Sequence, residues 1–451
     1  MRVHFISIGG SAMHNLALTL ADKGDIVTGS DDVIFEPSKS RLKENGLLPE
    51  QFGWFEENIS PDIDAVILGM HAKADNPELL RAQELGLKIY SYPEFLYEHS
   101  KEKTRVVIGG SHGKTTITSM ILHVMKYHRM DVDYMVGAQL EGFSRMVYLT
   151  KENEFIVLEG DEYLSSPIDR RPKFHLYQAN IALLSGIAWD HINVFQTFDN
   201  YVDQFRIFIE TIVPGGILIY NEEDPEIKKL VEETKHPIKK YSYATPDYHI
   251  ENGKVLLNTD EGEIALEVFG RHNLQNLAGA KLICQLMGVG ENEFYEAISS
   301  FRGASKRLEL LAENDNTVIF KDFAHSPSKV KATTDAVKER YPEKKTLACL
   351  ELHTYSSLNA TFLHHYVHTL DSADEAVVFY SPHAVQIKKL EEVSREQIAR
   401  AFNRQDLIIF TDPAEFRAFL FNKDLKDTAL LLMSSGDYGG MNFEDLKGLV
   451  K

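Results

Sequence analysis

Cysteine is scarce. The chain has two in 451 residues, Cys284 and Cys349, far apart and each among apolar neighbours, so no disulfide framework organises it and both thiols are expected to be buried and structural. Basic charge is also short: 48 Lys and Arg stand against 67 Asp and Glu, a formal net charge of -19. That balance argues against a nucleic-acid partner and against a membrane surface, because phosphate backbones and anionic headgroups select basic patches. Long apolar runs are missing too. Nothing approaches the roughly 18 uncharged residues of a membrane span, and membrane insertion is not expected. The opening carries one basic residue, Arg2, before a short strand broken by Gly9-Gly10, which does not read as a signal peptide. A reducing cytoplasm is therefore the expected location.

What is present is ordinary for a folded enzyme, with 43% hydrophobic and 25% charged residues and no repeats. The length favours two to four domains of about 100 to 200 residues each. Short apolar runs alternate with helical patterns three times over, which predicts an α/β chain of three successive domains: a Rossmann-like one over 1–103, a central P-loop ATPase-like one over 104–301, and a Rossmann-like C-terminal one over 302–451. The run Tyr241 to Phe269, with turns at Asn252-Gly253 and Glu261-Gly262, reads as hairpins appended to the central sheet. Ligands in such sheets bind beyond the carboxyl ends of the strands, so the turns there are where chemistry is sought.

The most informative string is Arg105-Val-Val-Ile-Gly-Gly110-Ser111-His112-Gly113-Lys114-Thr115-Thr116, a strand entering a glycine-rich turn and then a helix. Glycines let backbone N–H groups converge on phosphate oxygens, Lys114 offers a point charge to the β/γ-phosphates, and Thr115 can hold Mg²⁺. Ile108 stands where the usual P-loop has its first glycine, so this is a short form of the loop. A later strand ends in Glu159-Gly-Asp-Glu-Tyr163, carboxylates suited to a hard cation, and another leads to Trp189-Asp190-His191.

The short loop Gly-Ser-His-Gly-Lys-Thr-Thr, followed in order by these acids and His191, resembles the Mur ligases, which assemble the peptide stem of peptidoglycan. The resemblance implies ATP and Mg²⁺ as cofactors, with Thr115, Glu159 and His191 serving the metal and Lys114, Glu159 and His191 the reaction. Phe269-Gly-Arg-His-Asn273-Leu-Gln-Asn276 resembles the family's adenine signature and would bring Asn273 and Asn276 to the base. Gly303 to Glu309 and Lys321-Asp322-Phe-Ala-His325 would put Arg307 on the γ-phosphate, Asp322 on the ribose and His325 near the triphosphate. Where several members carry a carbamylated lysine beyond the histidine, this chain has Arg206, which cannot carry that group.

In the first segment Ile8-Gly9-Gly10-Ser11 and Gly29-Ser30-Asp31 resemble a dinucleotide fold, yet Ser11 and His14 stand where G-x-G-x-x-G needs glycine, so a dehydrogenase is not expected. In the muramate-binding members this domain holds a uridine diphosphate. Carried over, the role falls to Gly10, Ser11 and Asp31, with His71 as a further candidate. The implied reaction is amide formation between the lactyl carboxylate of UDP-N-acetylmuramate and an amine, by way of an acyl phosphate.

Gly160 to Tyr163, Asp169 to Phe174 and Met433 to Gly440 resemble strings of the family's peptide-adding branch, and the acceptor this resemblance implies is the peptide L-Ala-γ-D-Glu-meso-diaminopimelate, with L-alanine as the alternative. The L-alanine-adding branch clamps its acceptor with two arginines after a third-domain strand. Here that string is Leu352-His-Thr-Tyr-Ser-Ser357, without either. A P-loop ATPase and a non-catalytic nucleotide-sugar binding protein are the competing classes. The expected assembly is a monomer or small homo-oligomer.

Overall fold

The computed structural model describes residues 1–450 apart from 141, 305, 306 and 392. The chain forms two compact units. The first comprises Met1–Ile187, Val202–Tyr243 and Gly279–Gly290, and the second Ala188–Tyr201, Ala244–Ala278 and Glu291–Lys451.

The first unit holds two sheets. A four-stranded parallel sheet has the order Ile26–Ser30, Arg2–Ile6, Ala65–Leu68, Ile89–Ser91. The all-apolar strand Ala65–Leu68 is wholly buried, as a strand covered on both faces must be. The larger sheet has seven strands in the order Lys239–Tyr243, Ile217–Asn221, Ile181–Leu184, Thr104–Gly109, Phe155–Gly160, Asp133–Met135, Val147–Tyr148, parallel except for the last. Thr104–Gly109 lies in the middle, paired on both sides, so the phosphate loop grows from the most constrained strand of the sheet.

The segment 1–103, read from the sequence as a domain, builds its own four-stranded sheet and falls in the same compact unit as the central sheet. The helix Ser11–Asp22 is fastened to the edge strand: the Met146 N–H donates to the Asn15 side chain at 3.0 Å, and the buried Thr19 hydroxyl donates to the Val147 carbonyl at 2.7 Å. Buried polar groups that find partners only across a seam fix that seam.

In the second unit the run after Tyr243 forms its own antiparallel sheet, Tyr248–Glu251, Lys254–Thr259, Gly262–Leu266, turning at the expected Asn252-Gly253 and, one residue before the expected Glu261-Gly262, at Asp260-Glu261. The expectation that it extends the central sheet is corrected: among the described residues only Lys239–Tyr243 pairs there, and the next three strands pair with one another. A six-stranded sheet follows, ordered Glu309–Glu313, Thr317–Asp322, Thr428–Met433, Lys345–Leu352, Glu375–Tyr380, Ile408–Phe410, with the first strand antiparallel. Its core stacks Phe379, Phe416 and Tyr438 beneath Leu430 and Leu432. Both cysteines are free and buried, as expected. Among the described residues no helix is long and apolar enough to cross a membrane.

Candidate active site

The phosphate loop in the first unit has the conformation its glycines permit. Gly113 is left-handed (φ 82°) and N-caps the helix Lys114–Tyr127. Gly110 sits at φ 138°, and a Cβ there would fall 2.1 Å from the Ser185 hydroxyl. The neighbouring strand end braces the loop: the Ser111 N–H donates to the Gly186 carbonyl at 2.8 Å, and the Ser185 hydroxyl donates to the His112 carbonyl. Gly186 is required in turn, because a Cβ would lie 2.2 Å from the His112 ring. Thr116 is buried in the first helical turn.

Two expected residues meet where Thr104–Gly109 and Phe155–Gly160 end side by side. The Thr115 hydroxyl donates to Glu159 at 2.8 Å, and the other Glu159 oxygen accepts the Gly137 N–H at 2.7 Å. Gly137 has to be glycine, since a Cβ would reach within 2.8 Å of that carboxylate. A hydroxyl and a carboxylate held together offer hard oxygen donors, the chemistry Mg²⁺ requires.

Lys114 reveals a residue that sequence reasoning did not single out. Its ammonium donates to the Gly110 carbonyl and to Glu162 at 2.5 Å, and Glu162 is 1% exposed. Burial alone would lower the Lys114 pKa, but Glu162 and Asp161 outweigh it and raise it, so the lysine stays charged. The only sequence signal was the acidic cluster itself.

The first sheet carries a second glycine turn. Gly10 N-caps the helix Ser11–Asp22 with an exposed Ser11 at its first position, and Asp31 closes the turn by accepting the Gly9 N–H at 2.7 Å. Gly9, rather than Gly10, is the constrained glycine: a Cβ would lie 2.9 Å from both Asp31 and Ile34. Burial pushes the Asp31 carboxyl above its usual range. Beneath this turn the buried Glu78 accepts from the Ser30 hydroxyl and from the Phe55 N–H at 3.0 Å, fixing the strand end that carries Asp31. His71 lies exposed in the turn after Ala65–Leu68.

Arg206 is on the solvent side of the helix Phe198–Glu210, bonded to Asp203 at 3.4 Å and Glu233 at 2.8 Å. It takes no part in the phosphate-loop cluster.

The second unit gathers Asp190, His191, Arg307, Asp322 and His325. Asp322 is buried, and its two oxygens accept the Leu308 and Ala324 N–H groups at 2.5 and 2.6 Å. It thereby ties the segment after Arg307 to the strand end. Burial raises its pKa, against the opposing charges of Arg307 and Lys329. Arg307 lies over the Phe323 ring, 4.9 Å from its centroid, while Ser305 and Lys306 of the same motif lie outside the described residues.

Burial lowers the His325 pKa to about 4, helped by Lys329, and its Nδ1 lies 2.8 Å from the Phe323 carbonyl. The Asp190 pKa is lowered as well, for a different reason: its burial is outweighed by Lys329, 3.7 Å away, and by His191 and His325, which hold it at about 2. His191 has φ 54°, with its N–H donating to Asp190 at 2.8 Å. Asn273 is the third residue of the helix Arg271–Leu286, not its N-cap, and its amide donates to the Phe269 carbonyl at 2.9 Å; Asn276 is buried one turn on.

The two strings that bore on the acceptor also meet in this unit, at neighbouring strand ends. Glu351, 2% exposed, accepts from the Ser434 hydroxyl and from the Tyr438 N–H at 2.9 Å, and His353 approaches it at 3.6 Å.

The profile described as Mur ligase family, catalytic domain, matches residues 2–104, the Mur ligase middle domain matches 108–284, and the Mur ligase glutamate ligase domain matches 306–436. A UDP-N-acetylmuramate–L-alanine ligase of Caldicellulosiruptor bescii is 33% identical over 387 residues, 83% of this chain and 82% of that protein. One of Sulfurihydrogenibium sp. is 30% identical over 405 residues, 88% and 86% of the two. Among solved structures, a murein peptide ligase of Psychrobacter arcticus has a TM-score of 0.67 at 22% identity, covering 100% of this chain and 98% of that one. A UDP-N-acetylmuramate-alanine ligase of Thermotoga maritima has a TM-score of 0.70 at 20% identity, covering 99% and 98%. At these identities the structural likeness is one of fold. With the matches running through all three α/β segments, this chain belongs to the Mur ligase family of ATP-dependent, amide-bond-forming ligases.

Proposed function

We propose that the chain joins the lactyl carboxylate of UDP-N-acetylmuramate to an amine, with ATP first phosphorylating that carboxylate. The observation that carries this is the conjunction, at the carboxyl ends of two neighbouring central strands, of Lys114, Thr115 and Glu159 in a chain about a third identical to UDP-N-acetylmuramate–L-alanine ligases. Backbone N–H groups of Gly110, Ser111, His112 and Gly113, with Thr116 in the first helical turn, would cradle the phosphates, and the Lys114 ammonium would offset charge on the transferring phosphoryl group. Thr115 and Glu159 fit Mg²⁺ by their donor chemistry; when bound, the ion would neutralise phosphate charge. His191 as a ligand, Asn273 and Asn276 at adenine, and Arg307, Asp322 and His325 toward ATP are assignments by family resemblance. Gly10, Ser11, Asp31 and His71 are likewise assigned to the uridine diphosphate. No protein nucleophile is needed: once the carboxylate is an acyl phosphate, the amine displaces phosphate and the enzyme acts mainly by positioning.

The relatives favour L-alanine over the peptide as acceptor. The peptide stays as a second reading on one observation: the strand ends carrying Glu351, His353, Ser434 and Tyr438 offer no arginine in the Leu352–Ser357 string to clamp a free amino-acid carboxylate. Phosphate release with ATP, Mg²⁺ and UDP-N-acetylmuramate, with each acceptor in turn, tests both. Release driven by L-alanine supports the first reading and release driven only by the tripeptide supports the second. Release indifferent to any amine rejects the ligase reading.

A further inference from the structure

The structure holds a second buried ammonium beside the phosphate loop that the reaction as described does not use. After Gly160 the chain leaves the sheet in a hairpin and returns at Phe174: the Lys173 N–H donates to the Tyr163 carbonyl at 2.9 Å, the Phe174 N–H to the Asp161 carbonyl at 3.1 Å, and the Ser165 N–H to the Arg171 carbonyl at 3.0 Å. The turn is closed by the Ser166 hydroxyl, which accepts the Asp169 N–H at 2.9 Å. This return places the Lys173 ammonium on the Asp161 carboxylate, with its side chain 13% exposed and that of Asp161 34% exposed. The rings of Tyr92 and Tyr163 stand at 5.7 Å from it. Burial by itself would lower its pKa, but Asp161 and Glu162 raise it, so the group is a cation.

Two features give this cation a place in the reaction. First, Asp161 and Glu162 are consecutive, and each holds one ammonium, Lys173 on the first and Lys114 on the second. Two positive groups are thus presented at the end of one strand, beside the loop that takes the phosphates. Second, Lys173 sits against the N-terminal segment: Tyr92 opens the helix Tyr92–His99, and Arg171 of the same hairpin approaches Glu94 at 3.6 Å. A donor whose nucleotide lies on the first sheet and whose carboxylate must meet the γ-phosphate has to pass this point.

We propose that Lys173 binds the carboxylate that is to be phosphorylated and holds it against the γ-phosphate. This rests on the donor reading above. The two reactants are both anions and repel; an ammonium for each brings them together, Lys114 for the phosphate and Lys173 for the carboxylate. In the step itself a carboxylate oxygen forms the bond to the γ-phosphorus, the bond from that phosphorus to the bridging oxygen breaks, and ADP leaves with the electron pair. Lys173 exchanges no proton, so it is a positioning residue for the donor. Asp161 and the two tyrosine rings fix where its ammonium points.

The test compares wild type with Lys173→Gln and Lys173→Arg by calorimetric titration of UDP-N-acetylmuramate and of UDP-N-acetylglucosamine, which lacks the carboxylate, together with ATP affinity and the melting temperature. In Lys173→Gln, affinity for the muramate is expected to fall about tenfold or more, with the glucosamine nucleotide and ATP unchanged; Lys173→Arg recovers part of the loss. Steady-state phosphate release should show a higher KM for the muramate in the glutamine variant. Equal loss toward both sugar nucleotides, or a fall in ATP affinity and melting temperature alongside, would mean Lys173 only anchors the hairpin and would overturn the proposal. Unchanged muramate binding in Lys173→Gln would overturn it as well. If wild type binds neither sugar nucleotide, the donor reading fails first and takes the proposal with it.

Discussion

The chain builds two glycine turns on the same plan, a parallel strand, a tight turn and a helix, and they differ in what the turn carries. Around Gly9 and Gly10 the groups at the strand ends are backbone N–H groups, small side chains and Asp31, whose carboxylate holds the turn shut through the Gly9 N–H. Such a turn can bind an anion only through fixed dipoles. The turn from Gly109 to Gly113 adds a lysine, a threonine and a neighbouring carboxylate, Glu159. It can therefore hold a phosphate, a cation and a moving negative charge at once. On the proposed function, the same backbone device would hold a substrate in one place and drive a reaction in the other, with the side chains deciding which.

The largest expected effect breaks the reactive turn alone. Lys114→Met should lower kcat for phosphate release by about 10³-fold, about 4 kcal/mol, while UDP-N-acetylmuramate affinity by titration stays within a factor of about two. Equal loss of donor binding would mean that the two turns do not divide the work. Next, Glu159→Gln is expected to raise the Mg²⁺ concentration giving half-maximal rate by about 10–100-fold with little change in the limiting rate. A smaller effect comes from Gly9→Ala, whose Cβ would lie 2.9 Å from both Asp31 and Ile34. The account expects a stability loss of about 1–3 kcal/mol with weakened donor binding and intact ATP binding, read from melting curves and paired titrations.

The last concerns pH, and is read in stability rather than in activity. His175, His272 and His325 are each held at about 4 in the fold, by burial above all, against an ordinary value of 6.5. Between those values the unfolded chain binds more protons than the folded one, so their contribution is complete above pH 6.5 and is lost as pH falls toward 4. Urea midpoints measured across this range should decline, by up to roughly 1.4 kcal/mol per pH unit for each histidine, and His325→Asn should flatten the decline.

Much of this was legible in the sequence because backbone geometry and residue type coincide there. Gly110, Gly113, Lys114 and Thr115 follow a run of β-branched residues, and only glycine tolerates the φ of 138° and 82° that the turn adopts. Most of the parallel strands were visible for the same reason, being short apolar runs, whereas Lys239–Tyr243 with its two lysines and the three-residue Asp133–Met135 and Ile408–Phe410 were not. What was hidden depended on partners distant in the chain. Glu162 and Lys173 lie in an acidic cluster and a basic run that look solvated in isolation, and only the fold sets Glu162 on Lys114 and Lys173 on Asp161. The separateness of the Tyr248–Leu266 sheet was likewise hidden, because strand patterns do not say which ladder a strand will join. The peptide acceptor expected from short strings gives way to L-alanine as the better supported reading, since the relatives match over most of the chain and the strings over a few residues.

The central claim is that the reactive turn transfers a phosphoryl group to a carboxylate. Turning over UDP-N-acetylmuramate labelled with ¹⁸O in its lactyl carboxylate, with ATP, Mg²⁺ and L-alanine or the tripeptide, and analysing the released phosphate by mass spectrometry, tests this directly. The account predicts that one labelled oxygen appears in each phosphate formed with amide product; phosphate released without label, its new oxygen coming from water, would contradict it.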